Sequence, residues 1–483
     1  MKDGIELANE LREKKISFQE LLTEIERKVK KKNPTLNALV SFDPAQAQVA
    51  YEKVARQQKS PLSGVLFPLK MLGQEKKGWS ATSGSRLFKD HLAANDSTYV
   101  QQAEKIGLIP LGQTNAPEFG FKNITDPVLY GTARNPWNPD YSPGGSSGGA
   151  AAVVASGIFP LAGASDGGGS IRIPASFCGL IGLKPSRGTM PVGPYAFRGW
   201  QGASIDFGLT LSMRDTEALF YGMRGIHSGA PYQSAPAEWK KHPEKKRLKI
   251  AVCIDSPIGS KISEEARLAV RNAVAFLANE GHELIEINYP VNGRELIHSY
   301  YQMNGAETAA MIASIENDLN RSIRQDELEP ISWTLLQYGK KLSAATYIHS
   351  LQLWDQAAVT MEELFQEIDL FLSPTTAFSA PKITADLQNY QIRTQMEHII
   401  EFSEKQSLEV VSSMFEESLQ LTPYTQLANL TGQPAISLPT HLTKEGLPLG
   451  IQFMAARGRE DLLFQVGHLF EQKQQFHLPE DKG

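Results

Sequence analysis

The stretch Ser165 to Pro174, SDGGGSIRIP, sets three consecutive glycines in front of a serine and follows it with an arginine and a proline. A second loop of the same character, PGGSSGG over residues 143–149, lies upstream, with 24 positions from Ser146 to Ser170. Glycine-rich loops ahead of helices present backbone N–H groups to anions, so a phosphate cradle is the first reading. Neither loop supplies GxxxxGK[ST], and no GxGxxG follows a strand with an acidic residue about 20 positions on. A nucleophile elbow is the second reading, because residues 144–148 match GxSxG. That fold also needs a histidine at a strand end, and His298, His349 and His398 all read as helix residues.

The third reading is a serine nucleophile activated by lysine. Glycines 167–169 lack a Cβ, so the chain can turn sharply and aim several N–H groups at one point beside Ser170. A tetrahedral oxyanion needs such donors, and removing one typically costs about 3 kcal/mol in the transition state. The base would be Lys70, which ends the apolar run Val65 to Leu69 and is continued by Met71 and Leu72. Apolar surroundings penalise the charged form of a lysine and move its pKa toward the range where it accepts a proton. A solvated lysine at a strand end is the commoner fate, and composition alone leaves that reading ahead.

The rest of the chain places these loops. Its 483 residues carry a net charge of −5, with 41% hydrophobic and 21% charged residues, values of an ordinary globular protein without the basic excess that nucleic-acid binding needs. Only Cys178 and Cys253 are present, which gives no disulfide framework and fits a reducing compartment. The N-terminus shows no secretory pattern, and the longest apolar stretch, 150–164, is interrupted by Gly157, Pro160 and Gly163. A cytoplasmic protein with no membrane span is expected. Residues 1–57 read as two or three amphipathic helices. Short apolar runs at 64–72, 106–114, 159–165, 248–253, 284–290, 369–375, 434–442 and 450–456 alternate with helical patterns, which predicts an α/β protein with a buried, mixed sheet. The segment 146–157 reads as a capped, alanine-rich helix, and 228–247 as a Pro-rich linker or surface loop. The lysine run 28–32 and the basic segment 240–247 read as solvated faces. Cys178 reads as a small buried hydrophobe, and Tyr300, Tyr301, Trp333 and Tyr338 as core aromatics. Proline in Ser379-Ala380-Pro381-Lys382 argues against the helix that an SxxK nucleophile motif needs.

Taken together, GVLFPLK ending in Lys70, TNAPEFG (114–120), NPWNPDYSPGGSSGGAAAVVASG (135–157), SDGGGSIRIPASFCGLIGLKPSRG (165–188) and LTGQPAISLPTHLTKEGLPLGIQFMA (430–455) resemble the amidase signature family. The resemblance implies a single α/β domain over 1–483, with a central mixed β-sheet surrounded by helices. Within it, 1–57 would be a helical cover, 60–215 the signature core, 216–420 a variable substrate-pocket region and 421–483 the C-terminal part of the core. It also implies a Ser-cisSer-Lys triad: Ser170 as nucleophile, Ser146 in a cis peptide as bridge, and Lys70 as base. The oxyanion donors would be the N–H groups of Gly167, Gly168, Gly169 and Ser170, with Ser147, Asp166 and Arg172 supporting the loop. The implied activity is hydrolysis of a small-molecule amide through an acyl-enzyme, on a carbon–nitrogen bond other than a peptide bond, without metal or organic cofactor. A homodimer is the assembly the resemblance allows.

Three features depart from the family pattern, one being that the valine-proline usual ahead of the lysine is shifted to Leu66-Phe67-Pro68. Met71 stands where an aspartate usually follows the lysine, and Gln113 turns GKTN into GQTN. The segment FRGWQGASIDFGLTLSMRD (197–215) differs from the serine-rich SSLDQ motif of the glutamyl-tRNA amidotransferase A subunit. The resemblance is therefore to stand-alone bacterial amidases, and more weakly to the 6-aminohexanoate cyclic dimer hydrolase. A glutaminase of the A-subunit kind, or a catalytically weakened binding subunit, stays open as an alternative.

Overall fold

The computed structural model describes residues 1–55, 60–225, 228–234 and 246–480. Its strands are β1 Leu39–Ser41, β2 Leu66–Lys70, β3 Ile109–Thr114, β4 Leu161–Asp166, β5 Ile181–Lys184, β6 Ile205–Thr210, β7 Lys249–Val252, β8 Glu283–Glu286, β9 Leu370–Pro374, β10 Ala435–Leu442 and β11 Pro448–Met454. Eight of them form the central mixed sheet, in the order β4-β6-β5-β10-β11-β9-β7-β8. Its β7 pairs are parallel, and the other pairs are antiparallel. Helices surround the sheet, so the α/β architecture expected from the alternating runs is the observed one.

The strand that ends in Lys70 is not in that sheet. β1, β3 and β2 form a separate three-stranded sheet in that order, with β2 parallel to β3. The N-terminal segment thus contributes more than cover: besides helices Gly4–Arg12, Phe18–Leu36 and Ala47–Ala55, it supplies β1. One apolar cluster runs from Ala8 to Phe470 and joins these helices to the central sheet and the C-terminal helix. A second cluster, from Phe119 to Leu419, fills the space among the middle helices beside the site.

The alanine-rich helix is Gly148–Ala155, and every one of its residues is buried. Small side chains let neighbouring backbone come close, and a Cβ at Gly149 would lie 2.3 Å from the Asn115 nitrogen. Its N-terminus departs from the expected cap. Ser147 makes no capping bond, because its Oγ donates to the Ser165 carbonyl at 3.1 Å instead. The lysine run is also not a free face. Lys28 and Lys32 donate to the Gly157 and Ser156 carbonyls at 2.9 and 2.8 Å, placing two cations at the negative end of the buried helix. Of the Pro-rich segment 228–247, residues 235–245 lie outside the described residues, and with them most of the basic segment 240–247. Residues 56 and 57 of the N-terminal segment lie outside them too. Among the described residues, no helix is long and apolar enough to cross a membrane.

Candidate active site

Three chain ends converge at the site: the last residue of β2, the entry to the buried helix Gly148–Ala155, and the turn that follows β4. Lys70 closes β2 and is 1% exposed. Its Nζ donates to Ser146 Oγ and to Ser165 Oγ, each at 2.8 Å. Burial pulls the amine down to about 7, against the opposing charges of Asp206 and Asp166. Its backbone N–H donates to Gln74 Oε1 at 2.9 Å, and Gln74 Nε2 donates in turn to the Ala164 carbonyl and to Asp206. This amide therefore ties the lysine strand to β4 and β6 across the gap between the two sheets. The Gly145–Ser146 peptide is cis.

Asp166 ends β4 and organises the glycine turn. Its carboxylate accepts the N–H groups of Gly169 at 2.7 Å, Ile171 at 3.2 Å and Arg172 at 3.4 Å. The Arg172 guanidinium clasps the same carboxylate through Nε and Nη2 at 3.0 and 2.9 Å, with both side chains fully buried. Burial alone would raise the Asp166 carboxyl, but Arg172 and Asn429 hold it at about 2. Arg172 is satisfied further by Gln452 and Asn429, each accepting at 2.6 Å. Ser147 exchanges hydrogen bonds with the Ser165 backbone.

The expected oxyanion donors divide. Among the described residues, no hydrogen bond takes up the N–H of Gly167, Gly168 or Ser170, whereas that of Gly169 is held by Asp166. Gly169 is thus corrected from a free donor to a brace of the turn. Its φ of +127° and the 2.2 Å that would separate an added Cβ from Thr425 Oγ1 admit only glycine there. Thr425 Oγ1 donates to the Gly168 carbonyl at 2.7 Å and fixes the same turn from the opposite wall.

Ser170 is partly exposed and stands where two cavities meet. One, of about 270 Å³, is also lined by Ser146, Ser165, Asp206 and Trp200. The other, of about 70 Å³, is lined by Ile173, Tyr300 and Tyr301 on the side away from Ser146. Trp200 borders both, stacked on Phe121 at 6.0 Å and edge-on to Tyr300 at 5.9 Å. Tyr300 and Tyr301 are therefore cavity residues as well as core, while Trp333 and Tyr338 are core as expected. Cys178 is fully buried, and burial pushes its thiol well up. Ser379 to Lys382 lie in non-helical chain after β9. Among the described residues, no group of three or more His, Cys, Asp or Glu is placed to hold a metal ion.

The sequence reading gives no role to three residues at this site, although Ser165 stands inside its motif. Ser165 and Gln74 could have been suspected, one as the residue ahead of Asp166 and the other four positions after Lys70. Asp206 comes from β6, a strand whose alternation is hidden inside 197–215. Burial pushes its carboxyl up to about 6. Two of the departures from the family pattern prove to be neighbours: Gln113 Nε2 lies 3.7 Å from Met71 Sδ and donates to the Ser80 carbonyl at 2.7 Å.

The family model described as Amidase matches residues 20–464. The chain belongs to the amidase family. It is 38% identical over 482 residues to a lipoamidase of Enterococcus faecalis, covering 99% of this chain and 64% of the relative's length. It is 32% identical over 491 residues to the 6-aminohexanoate-cyclic-dimer hydrolase of Paenarthrobacter ureafaciens, covering 97% of this chain and 94% of that protein. A structure of 6-aminohexanoate cyclic dimer hydrolase complexed with substrate superposes with a TM-score of 0.89 at 30% identity, over 100% of this chain and 99% of that one. An amidase-family chain is a hydrolase of carbon–nitrogen bonds other than peptide bonds, and the α/β fold described above is the family's fold.

Proposed function

We propose that the protein hydrolyses a small-molecule amide through a covalent acyl-enzyme on Ser170. Neutral Lys70 takes the proton of Ser146 as Ser146 takes that of Ser170, and the freed Ser170 Oγ bonds to the amide carbonyl carbon. The carbonyl oxygen becomes an oxyanion facing the N–H groups of Gly167, Gly168 and Ser170. The carbon–nitrogen bond then breaks, and the proton held by Lys70 returns through Ser146 to the leaving nitrogen, which departs as amine or ammonia. Water adds to the ester by the same route, releases the carboxylate and restores Ser170.

The observation that carries this reading is the 2.8 Å contact of a buried lysine, with its pKa near neutrality, to Ser146 Oγ on the wall that Ser170 shares. Asp166, Arg172 and Ser147 support the loop in this scheme. Met71 and Gln113 contact each other and leave Lys70 Nζ with both of its serine partners, which favours an active enzyme over a weakened binding subunit. The molecule is proposed to act as a single domain; of the two cavities beside Ser170, the expected pocket region 216–420 lines only the smaller, through residues such as Tyr300, Tyr301 and Phe415, while the larger is lined from the 60–215 core.

The test is partitioning. Anilides that share one acyl group but differ in amine are hydrolysed with hydroxylamine present, and the ratio of acid to hydroxamate is measured. A common acyl-enzyme predicts one ratio for every amine, and a ratio that changes with the amine contradicts it.

A further inference from the structure

Lys70 becomes an ammonium each time it takes the Ser146 proton, and the groups that touch its Nζ carry no charge. Its hydrogen bonds run to Ser146 Oγ and Ser165 Oγ, and among the described residues no carboxylate forms an ion pair with it. A buried ammonium without a countercharge is costly, so the charge has to be met from further out. Two carboxylates act on the amine, Asp206 and Asp166. Asp166 is already paired, since the buried Arg172 guanidinium clasps both of its oxygens. Asp206 is not. Among the described residues its carboxylate accepts from the Gln74 amide at 3.2 Å and pairs with no cation.

The fold sets Asp206 on the side of Lys70. Ser165 and Asp206 stand directly opposite each other in the antiparallel β4–β6 pair. Opposed residues share one face of a sheet, with Cβ atoms about 5 Å apart. That face is the one Lys70 reaches, because Ser165 Oγ accepts from Nζ at 2.8 Å. Gln74, 1% exposed, fixes the arrangement from the lysine strand. Its Oε1 accepts from the Lys70 backbone N–H, and its Nε2 donates to the Ala164 carbonyl and to Asp206 Oδ1, at 2.9, 3.0 and 3.2 Å. A carbonyl only accepts, so the amide cannot be reversed, and its N–H side is the one that meets the carboxylate. Glycine at 163 leaves room for this clamp, since an added Cβ would lie 2.1 Å from Gln74 Oε1.

We infer that Asp206 is a positioning residue for the base: its carboxylate, held by Gln74 beside Ser165, supplies the countercharge for the ammonium that Lys70 becomes during turnover. The inference rests on the assignment of Lys70 and Ser146 made above. The other titratable groups around the pair leave this task to Asp206. Asp166 is held at about 2 by Arg172 and Asn429 against its burial, and its charge is constant over the working range. Glu75 lines the same cavity as Asp206, but burial pushes its carboxyl up and the charge it meets is that of His91. Tyr99 donates its hydroxyl to the Phe207 carbonyl and is kept neutral by burial, and Tyr195 stands exposed at the cavity rim. Among the described residues no lysine, arginine or histidine lines that cavity to compete for the carboxylate. A negative charge near an amine favours its protonated form, so removing the charge moves the amine's pKa down.

The experiment reads the acid limb twice, from kcat/KM for an uncharged anilide and from the rate at which a fluorophosphonate labels Ser170, each from about pH 5 to about 9. Wild type is compared with Asp206→Asn, which keeps an acceptor for Gln74 and loses the charge. Asp206→Ser carries the same prediction where the asparagine variant does not fold. The midpoint is expected near 7 in wild type and about one pH unit lower in the variant. The plateau above it is expected to fall, because a weaker base takes the Ser146 proton less readily. A midpoint that stays in place or rises overturns the inference even where activity drops, since a structural role lowers the rate without moving the limb. A change confined to KM, the sign of a substrate contact, overturns it as well. If wild-type Ser170 is labelled with a limb near 7 that the variant leaves unmoved, only the Asp206 inference fails. If wild-type Ser170 is not labelled, the triad reading and this inference fail together.

Discussion

Lys70 would keep its proton at neutral pH on any surface; burial between two sheets removes that default. With the amine near 7, the free enzyme is expected to gain activity as pH rises through about 7, because the charged lysine has no lone pair with which to take the Ser146 proton. Measured kcat/KM against pH should fall about tenfold per unit below that point, the slope for loss of one essential base, and an acid limb centred near 10 would contradict the assignment. At this scale the sequence was informative where one short stretch holds several roles. SDGGGSIRIP contains the nucleophile candidate, the turn and the Asp166–Arg172 clasp, and glycine at 169 follows from a φ that other residues rarely adopt. It was silent where partners meet only through topology. Asn304, Gln426 and Asp206 carry no motif, and their place beside Ser170 depends on a helix at 293–319, a short helix at 426–431 and the pairing of Ser165 with Asp206.

At the scale of elements, the turn after β4 is held by a buried ion pair with its remaining hydrogen-bonding capacity filled. Removing one partner of such a pair leaves an uncompensated buried charge, which typically costs about 3–5 kcal/mol. Arg172→Met is therefore expected to lower the free energy of urea unfolding by about that amount, since Asp166 keeps its buried carboxylate and loses its guanidinium. A change below about 1 kcal/mol, the range of exposed pairs, would show that the clasp does not hold the turn. Among strands, those with a continuous apolar run, such as β2, β4, β9, β10 and β11, were legible from composition. β1 was missed because three residues give no period, β5 because it runs on from the apolar stretch that holds Cys178, and β6 because Gly199 and Gly202 before it and Gly208 within it read as loop. That Lys70 belongs to a sheet of its own could not be read either, since strand partners are not written in a strand's own residues.

At the scale of the molecule, the apolar cluster that joins the N-terminal helices to the C-terminal helix Glu460–Gln472 makes the two ends of the chain parts of one core. Calorimetric unfolding is accordingly expected to show one cooperative transition, with calorimetric and van't Hoff enthalpies in agreement, and two separable transitions would contradict a single-domain architecture. The site draws on the whole length in the same way. Lys70 comes from near the N-terminal third, Ser146 and Ser170 from the signature loops, Asn304 from the middle helices, and Thr425 and Asn429 from the C-terminal segment that braces the glycine turn.

The central claim is that Ser170 is a nucleophile activated through Ser146 by Lys70. Incubation with a serine-reactive fluorophosphonate followed by peptide mass analysis tests it most directly, with wild type compared to Lys70→Ala. The adduct is expected on the peptide containing Ser170 in the wild type, with labelling slowed by about a hundredfold or more in Lys70→Ala, the usual contribution of a positioned general base. An unlabelled wild type, or a wild type and variant labelled at the same rate, would contradict it.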